Sequence, residues 1–133
     1  MINLDLIEKN MIKKFDIMNE KVKECLKDNE VINSDTLMLF KKDEYNYIYD
    51  SELKCSVELL NNYINEDCRI FSIKRFDKDE KILKRRLVGL YTKEYEKYED
   101  IPPRMDSYEK DCVVNIMCKI NNMELEKGKT LQK

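Results

Sequence analysis

Histidine, tryptophan and alanine are missing from this chain of 133 residues, which also has only two glycines and two prolines. Each shortage removes options. Without histidine, the commonest general base and metal ligand is gone. A zinc site would then need four thiolates. Of the five cysteines, at 25, 55, 68, 112 and 118, only Cys112 and Cys118 lie close together in sequence. With glycine only at Gly89 and Gly128, no glycine-rich phosphate loop can form. An odd cysteine count without paired short spacing argues against a disulfide framework. The thiols are therefore read as small buried apolar groups in a reducing compartment. The amino terminus, Met1-Ile2-Asn3-Leu4-Asp5, lacks a basic region followed by an apolar run, so no signal peptide is expected. No uncharged stretch approaches the ~20 residues of a membrane span. A cytoplasmic chain without membrane contact is the expectation.

What is present is charge. Charged residues make up 39% of the chain and apolar residues 42%, with a formal net charge of −2. The apolar residues recur at regular spacings, which argues for one packed core. The length suits a single domain, placed at 1–127, with a frayed tail at 128–133. The bias toward Lys, Asn, Ile, Glu and Tyr is the mark of an AT-rich coding sequence and points to a bacterial or mobile-element source.

Local pattern gives an α+β fold. Asp5 and Glu8 have capping-box spacing. Leu4, Ile7, Met11, Phe15, Met18, Val22 and Cys25 then mark one face of a long N-terminal helix ending near Lys27. Residues Asp28 to Asp35 read as a loop. Thr36–Phe40 and Tyr45–Tyr49 read as a hairpin around Asp43-Glu44, with Phe40 opposite Tyr47, Met38 opposite Tyr49 and Leu39 opposite Ile48. Ser51–Asn65 reads as a second helix and Arg69–Phe76 as a third strand. For residues 81–98 two readings compete. Ile82, Leu83, Leu87, Leu90, Tyr91 and Tyr98 suit a helix opened by Asp77 and Glu80. Its charges, however, oppose the helix dipole, and Gly89 weakens it. The rival is a hairpin turning at residues 77–80 with Lys81–Tyr91 as a fourth strand. The helix is preferred. Ile101-Pro102-Pro103 is a break, and Asp106 with Glu109 caps a last helix carrying Tyr108, Cys112, Val113, Ile116, Met117, Ile120 and Met123. The expected architecture is a small antiparallel sheet, a hairpin plus one or two strands, packed with two or three helices.

Two surfaces stand out. Arg69 to Lys93 holds nine basic and three acidic residues, net +6, between stretches of net −4 at Thr36–Cys68 and Glu94–Asp111. Arg69, Lys74, Arg75, Lys81, Lys84, Arg85 and Arg86, with Phe71, Phe76 and Tyr91, could grip a phosphate backbone and stack bases. Alternatively they pair internally with the acidic stretches. The second surface is tyrosine-rich: Tyr45, Tyr47 and Tyr49 alternate on one strand face, and Tyr91, Tyr95 and Tyr98 would line a helix. Tyrosine offers large apolar area with a polar tip, which suits an interface.

Catalytic equipment is sparse. A carboxylate-only magnesium site could use Asp43 with Glu44, or Asp77, Asp79 and Glu80, all in predicted turns. No cofactor and no resident metal are expected. The favoured function is a non-catalytic binding protein, a small antagonist or adaptor with the format of counter-defence or immunity proteins of mobile elements. Its partner would be a larger protein or nucleoprotein complex. The tyrosines would dock it, and Glu94 and Glu96 would add acidic surface that competes for a basic channel. The runner-up is a nucleic-acid-binding regulator acting through residues 69–86. A homodimer is also open, because Leu4, Met11, Met18 and Cys25 form a near-heptad stripe.

Overall fold

The computed structural model of the protein describes residues 4–60, 63–65, 68–92 and 100–123. Helix α1 spans Leu4–Leu26. Its apolar residues Met11, Phe15, Met18, Val22 and Cys25 fall at steps of three and four, and all are buried. Met11, Met18 and Cys25, the stripe considered for a dimer, lie in the core. Seven strands follow among the described residues: β1 (Val31–Ser34), β2 (Leu37–Lys42), β3 (Tyr45–Asp50), β4 (Cys55–Leu59), β5 (Tyr63–Asn65), β6 (Cys68–Phe76) and β7 (Ile82–Tyr91). Helix α2 covers Ser107–Asn121. No helix among the described residues is long and apolar enough to cross a membrane.

All the strands pair antiparallel, in the order β1-β2-β3-β4-β6, with β7 on the other edge of β6. β5 occupies the start of the β6 edge that β4 uses further along. The two act as one interrupted strand, so the sheet is a meander six strands wide. Alternation sends Leu37, Leu39, Ile48, Val57, Phe71, Ile73, Val88 and Leu90 to one face, where they join the buried faces of α1 and α2 in a single apolar cluster.

This architecture corrects the expected small sheet with two or three helices: the sheet is large, and among the described residues only two helices accompany it. The described residues of Ser51–Asn65 contain no helix. Cys55, Val57 and Leu59 alternate with Ser56 and Glu58, but β4 lies between β3 and β6 and is buried on both faces, which hides the period of two. Residues 82–91 are strand, as in the rival reading. The charges that opposed a helix dipole cost nothing in a strand. Gly89 is required there, because an added Cβ would meet Tyr91 ring atoms at 2.9 and 3.0 Å and the Pro102 carbonyl oxygen at 3.3 Å. That close approach lets the Gly89 amide donate to the Pro103 carbonyl at 2.9 Å, so residues 102–104 follow the free edge of β7. Asp28–Asp35 is not all loop, because Val31–Ser34 forms the edge strand β1. Edge strands carry polar residues freely, which masked it. Asp77 and Glu80 belong to a turn rather than a helix cap: Asp77 Oδ1 accepts from the amides of Asp79 and Lys81 at 2.8 and 3.0 Å.

Other local readings match. The β2–β3 register pairs Phe40 with Tyr47, Met38 with Tyr49 and Leu39 with Ile48. The capping box at α2 is complete, with Glu109 N–H donating to Asp106 and the Asp106 amide donating to Glu109, each at 2.8 Å.

The scarcity of glycine shows in the turns. Asp35, Asp43, Glu44, Lys54 and Glu80 all have positive φ, one or two in each of the β1–β2, β2–β3, β3–β4 and β6–β7 connections. The two-residue Asp43-Glu44 loop has φ values of 52° and 76°, the signs a type I′ turn demands and that Asn-Gly normally supplies. A side chain at such a φ is disfavoured by about 1 kcal/mol. Glu44→Gly should therefore stabilise the fold by about 0.5–1 kcal/mol, seen as a higher urea midpoint at unchanged m-value.

Candidate functional site

The pairing of β6 with β7 divides the basic segment between two faces. Partners across this pair share a face: Arg75 with Lys84 and Ile73 with Arg86 on the helix side, Lys74 with Arg85 and Ser72 with Leu87 on the other. On the helix side the cations meet fixed partners. Arg69 is nearly buried, and its Nε and Nη2 donate to the two Asp16 carboxylate oxygens at 2.8 Å each. Arg86 forms the same bidentate pair with Glu109 at 2.8 and 2.9 Å and also donates to the Arg104 carbonyl at 3.0 Å. The Arg75 guanidinium lies 3.9 Å from the Tyr108 ring centroid, and Lys84 is 3.9 Å from Asp106. Four of the seven predicted nucleic-acid contacts thus find their partners on the helix side. Lys74 and Arg85 remain on the opposite face, and Lys81 is exposed at the turn beside it.

That opposite face carries no helix among the described residues. Its register builds two rows across five strands. One is Phe40, Tyr47, Glu58, Ser72 and Leu87; the other is Met38, Tyr49, Ser56, Lys74 and Arg85. Phe40 stacks on Tyr47 at 5.1 Å and 6°, and Tyr49 meets Phe76 edge to face at 5.4 Å. These aromatics border a depression of about 270 Å³. Around it Met38, Tyr45, Ile82, Leu83 and Leu87 are exposed, Leu83 by 59% and Leu87 by 49%.

The charges of this face are largely matched within it. Tyr47 donates its hydroxyl to Glu58 at 2.5 Å, and Arg85 lies 4.0 Å from the same carboxylate. Burial and the Glu58 carboxylate push the Tyr47 hydroxyl up to about 12. Tyr49 donates to Glu80, which also pairs with Lys54. Burial and Glu80 likewise push Tyr49 up to about 12, so both phenols stay neutral donors. The Lys74 ammonium sits 5.9 Å from the Tyr47 ring centroid, within cation–π range.

The tyrosines do not form one cluster. Tyr45, Tyr47 and Tyr49 share the open face as expected. Tyr91 is buried at the far end of β7, where the Arg104 guanidinium covers its ring at 4.0 Å. Tyr95, Tyr98, Glu94 and Glu96 lie outside the described residues. Met38, Phe40, Glu58, Leu83 and Leu87 belong to the open face and were missed as site residues. The hairpin register could have shown the first two. Leu83 and Leu87 were masked by the helical reading of β7, and Glu58 by the helical reading of β4. The acidic turns do not converge: Asp77 is used within its own loop and Glu80 by Tyr49 and Lys54. Among the described residues no group of three or more acidic or thiol side chains could hold a metal ion.

One end of β3 is fixed from beneath. Asp50 is fully buried on the helix side and accepts from Lys119 Nζ at 2.6 Å and from the amides of Glu52 and Leu53 at 2.8 and 3.2 Å. This holds the β3–β4 turn and, through it, the strand that presents Tyr49. Burial alone would raise the Asp50 carboxyl, but the Lys119 ammonium and the two amides outweigh it and hold the group below its ordinary value of 3.8.

Compared with known proteins, the chain matches no family model, no curated protein and no solved structure.

The lowered Asp50 carboxyl stabilises the fold above its unfolded value and ceases to do so as pH falls through the folded value. Asp50→Asn should cost about 2 kcal/mol near pH 7. Thermal unfolding from pH 6 to pH 2 should show that deficit shrinking below about pH 4.

Proposed function

We propose that this chain is a non-catalytic binding module and that a protein docks on the face of its sheet that carries no helix among the described residues. One observation carries this reading: the face joins exposed apolar side chains to charges already matched by neighbours. Met38, Leu83 and Leu87 are exposed beside the Phe40–Tyr47 and Tyr49–Phe76 pairs. Glu58 faces Arg85, and Glu80 faces Lys54. Aromatic anchors within an apolar centre are the make-up of an interface hot spot. A nucleic-acid surface needs several unmatched cations tracking phosphates, and Arg69, Arg75, Lys84 and Arg86 are occupied on the other side.

The partner on this reading is a larger protein, alone or within a nucleoprotein complex, and the chain acts as its antagonist or adaptor. The AT-rich composition and small format support a mobile-element setting of counter-defence or immunity type.

Capture from the native host lysate tests the surface. A Met38→Glu, Leu87→Glu double variant should lose the captured polypeptide at least tenfold, about 1.4 kcal/mol. Ile17→Glu, exposed on α1, should retain it, with or without nuclease. Capture that survives the double variant, or that vanishes with nuclease, overturns the proposal.

A further inference from the structure

Strand β7 pairs with β6 along one edge. A residue of an antiparallel strand sends its amide and its carbonyl to the same edge, and the residues beside it send theirs to the other. Two bonds show which residues of β7 face outward. The Gly89 amide turns away from β6 to reach the Pro103 carbonyl, so Leu87 and Arg85 turn outward as well. On β6, the Phe76 amide donates toward β4, to the Lys54 carbonyl at 2.8 Å. Arg75, Ile73 and Phe71 therefore face β7, where Lys84, Arg86 and Val88 oppose them. The two assignments agree. The segment at 102–104 covers the outer edge at Gly89. Among the described residues no strand runs beside Ile82–Val88, and the amides and carbonyls of Arg85 and Leu87 have no hydrogen bond along that edge. Proteins commonly guard such an edge by making it short or by lining it with charge. β1, at the opposite end of the sheet, has four residues, whereas β7 has ten. Two of its charges do not guard it, because Arg86 is drawn to Glu109 and Lys84 lies by Asp106. Leu83 and Leu87 stand exposed beside the open groups.

We propose that the outer edge of β7 at Arg85–Leu87 takes up an extended segment of the partner as a further strand, one with a carboxylate flanked by apolar side chains. This rests on the reading that a protein docks on the adjoining face, and it names the part of that protein which binds. Main-chain hydrogen bonds to Arg85 and Leu87 supply attachment, and alternate side chains supply selectivity. Charge selects the occupant. Residues 81–87 hold four basic residues and no acidic one. The Arg85 side chain is 63% exposed, and its Glu58 contact is at 4.0 Å, while that carboxylate already accepts from Tyr47. Its guanidinium thus has donors left for an incoming carboxylate, with Lys74 as its cross-strand neighbour and Lys81 exposed at the turn. A second copy of the chain would set this cationic strand beside itself, and like charges on adjacent strands repel. On the added strand, a carboxylate beside Arg85 would extend the row that ends in Lys74 and Arg85. An apolar side chain beside Leu87 would extend the row that begins with Phe40 and Tyr47.

The test titrates the isotope-labelled full chain with an end-capped peptide of sequence Thr-Val-Thr-Glu-Thr-Val-Thr, whose palindromic order suits either strand direction. Amide resonances and hydrogen exchange are followed residue by residue. At about 1 mM peptide, exchange at the Arg85 and Leu87 amides should slow about tenfold. A peptide with Lys in place of Glu should bind about tenfold more weakly, and Arg85→Glu should reverse that preference. A fully N-methylated peptide, which keeps the side chains but cannot donate from its main chain, should not bind. The unaltered chain decides the matter even if Arg85→Glu fails to fold. Unslowed Arg85 and Leu87 amides, or equal binding of the Glu and Lys peptides, overturn the proposal. Binding that survives N-methylation and shifts Phe40 and Tyr47 overturns the edge while leaving the face as the docking surface. Protection of the same amides that grows with protein concentration, without peptide, assigns the edge to a second copy and also overturns it. Should the peptide bind as expected while the Met38→Glu, Leu87→Glu variant keeps its captured polypeptide, the edge stands and the face reading fails.

Discussion

The antiparallel pairing of β6 with β7 is the constraint on which the remaining arrangement rests. It runs from Cys68↔Tyr91 to Phe76↔Ile82, with one irregularity between Arg75 and Phe76. β6 is also bonded along its other edge by β4 and β5, so its backbone groups are used on both sides. Once this register is set, side-chain alternation leaves no freedom. Ile73, Val88 and Leu90 must face the helices, and so must Arg75, Lys84 and Arg86. A shift by one residue would bury Lys74 and Arg85 and put Phe71 and Val88 in water.

The cations delivered to the helix side fix α2. Arg86 reaches Glu109, which also completes the capping box with Asp106. One carboxylate thus links the sheet to the first turn of the helix. At the other end, Lys21 of α1 donates to the carbonyls of Ile120, Asn121 and Met123 at 3.3, 2.7 and 3.0 Å. Those oxygens lie at the negative end of the helix dipole, where an ammonium is favoured. Lys119 adds its pair with buried Asp50. Partly buried pairs of this kind contribute little net stability against well-packed apolar replacements, but removing one member leaves a stranded charge. Their main effect is to set one position for α2. Tyr108 meets Arg75 because of that position.

Among the described residues both helices lie on one side of the sheet, and the other side is formed by strands and their turns. Its aromatics pair with each other and its ions with neighbouring ions, so the surface is apolar without being strongly charged. The tight turns that order this face are built from Asp, Glu and Lys at positive φ. Strand pairing is strong enough to carry that local cost.

The sequence by itself determined what depends on neighbours along the chain. The period of 3.6 gave α1 and α2, Asp106 with Glu109 gave a cap, and the Phe40/Tyr47 and Met38/Tyr49 register followed from one turn position. It also showed the chemistry that histidine and glycine would have supplied to be missing. Tertiary structure decided whatever depends on which strands become neighbours. Ser51–Asn65 and Lys81–Tyr91 have apolar spacings that fit a helix nearly as well as a strand, and only pairing with β6 selects the strand. The same pairing decided which arginines of 69–86 are structural and which stay outside, since alternation has no meaning until a segment is known to be extended. It also brought Tyr108 to Arg75 and to the Leu53 carbonyl. Contacts between residues so far apart depend on how helices stack on a sheet, and no local pattern records that.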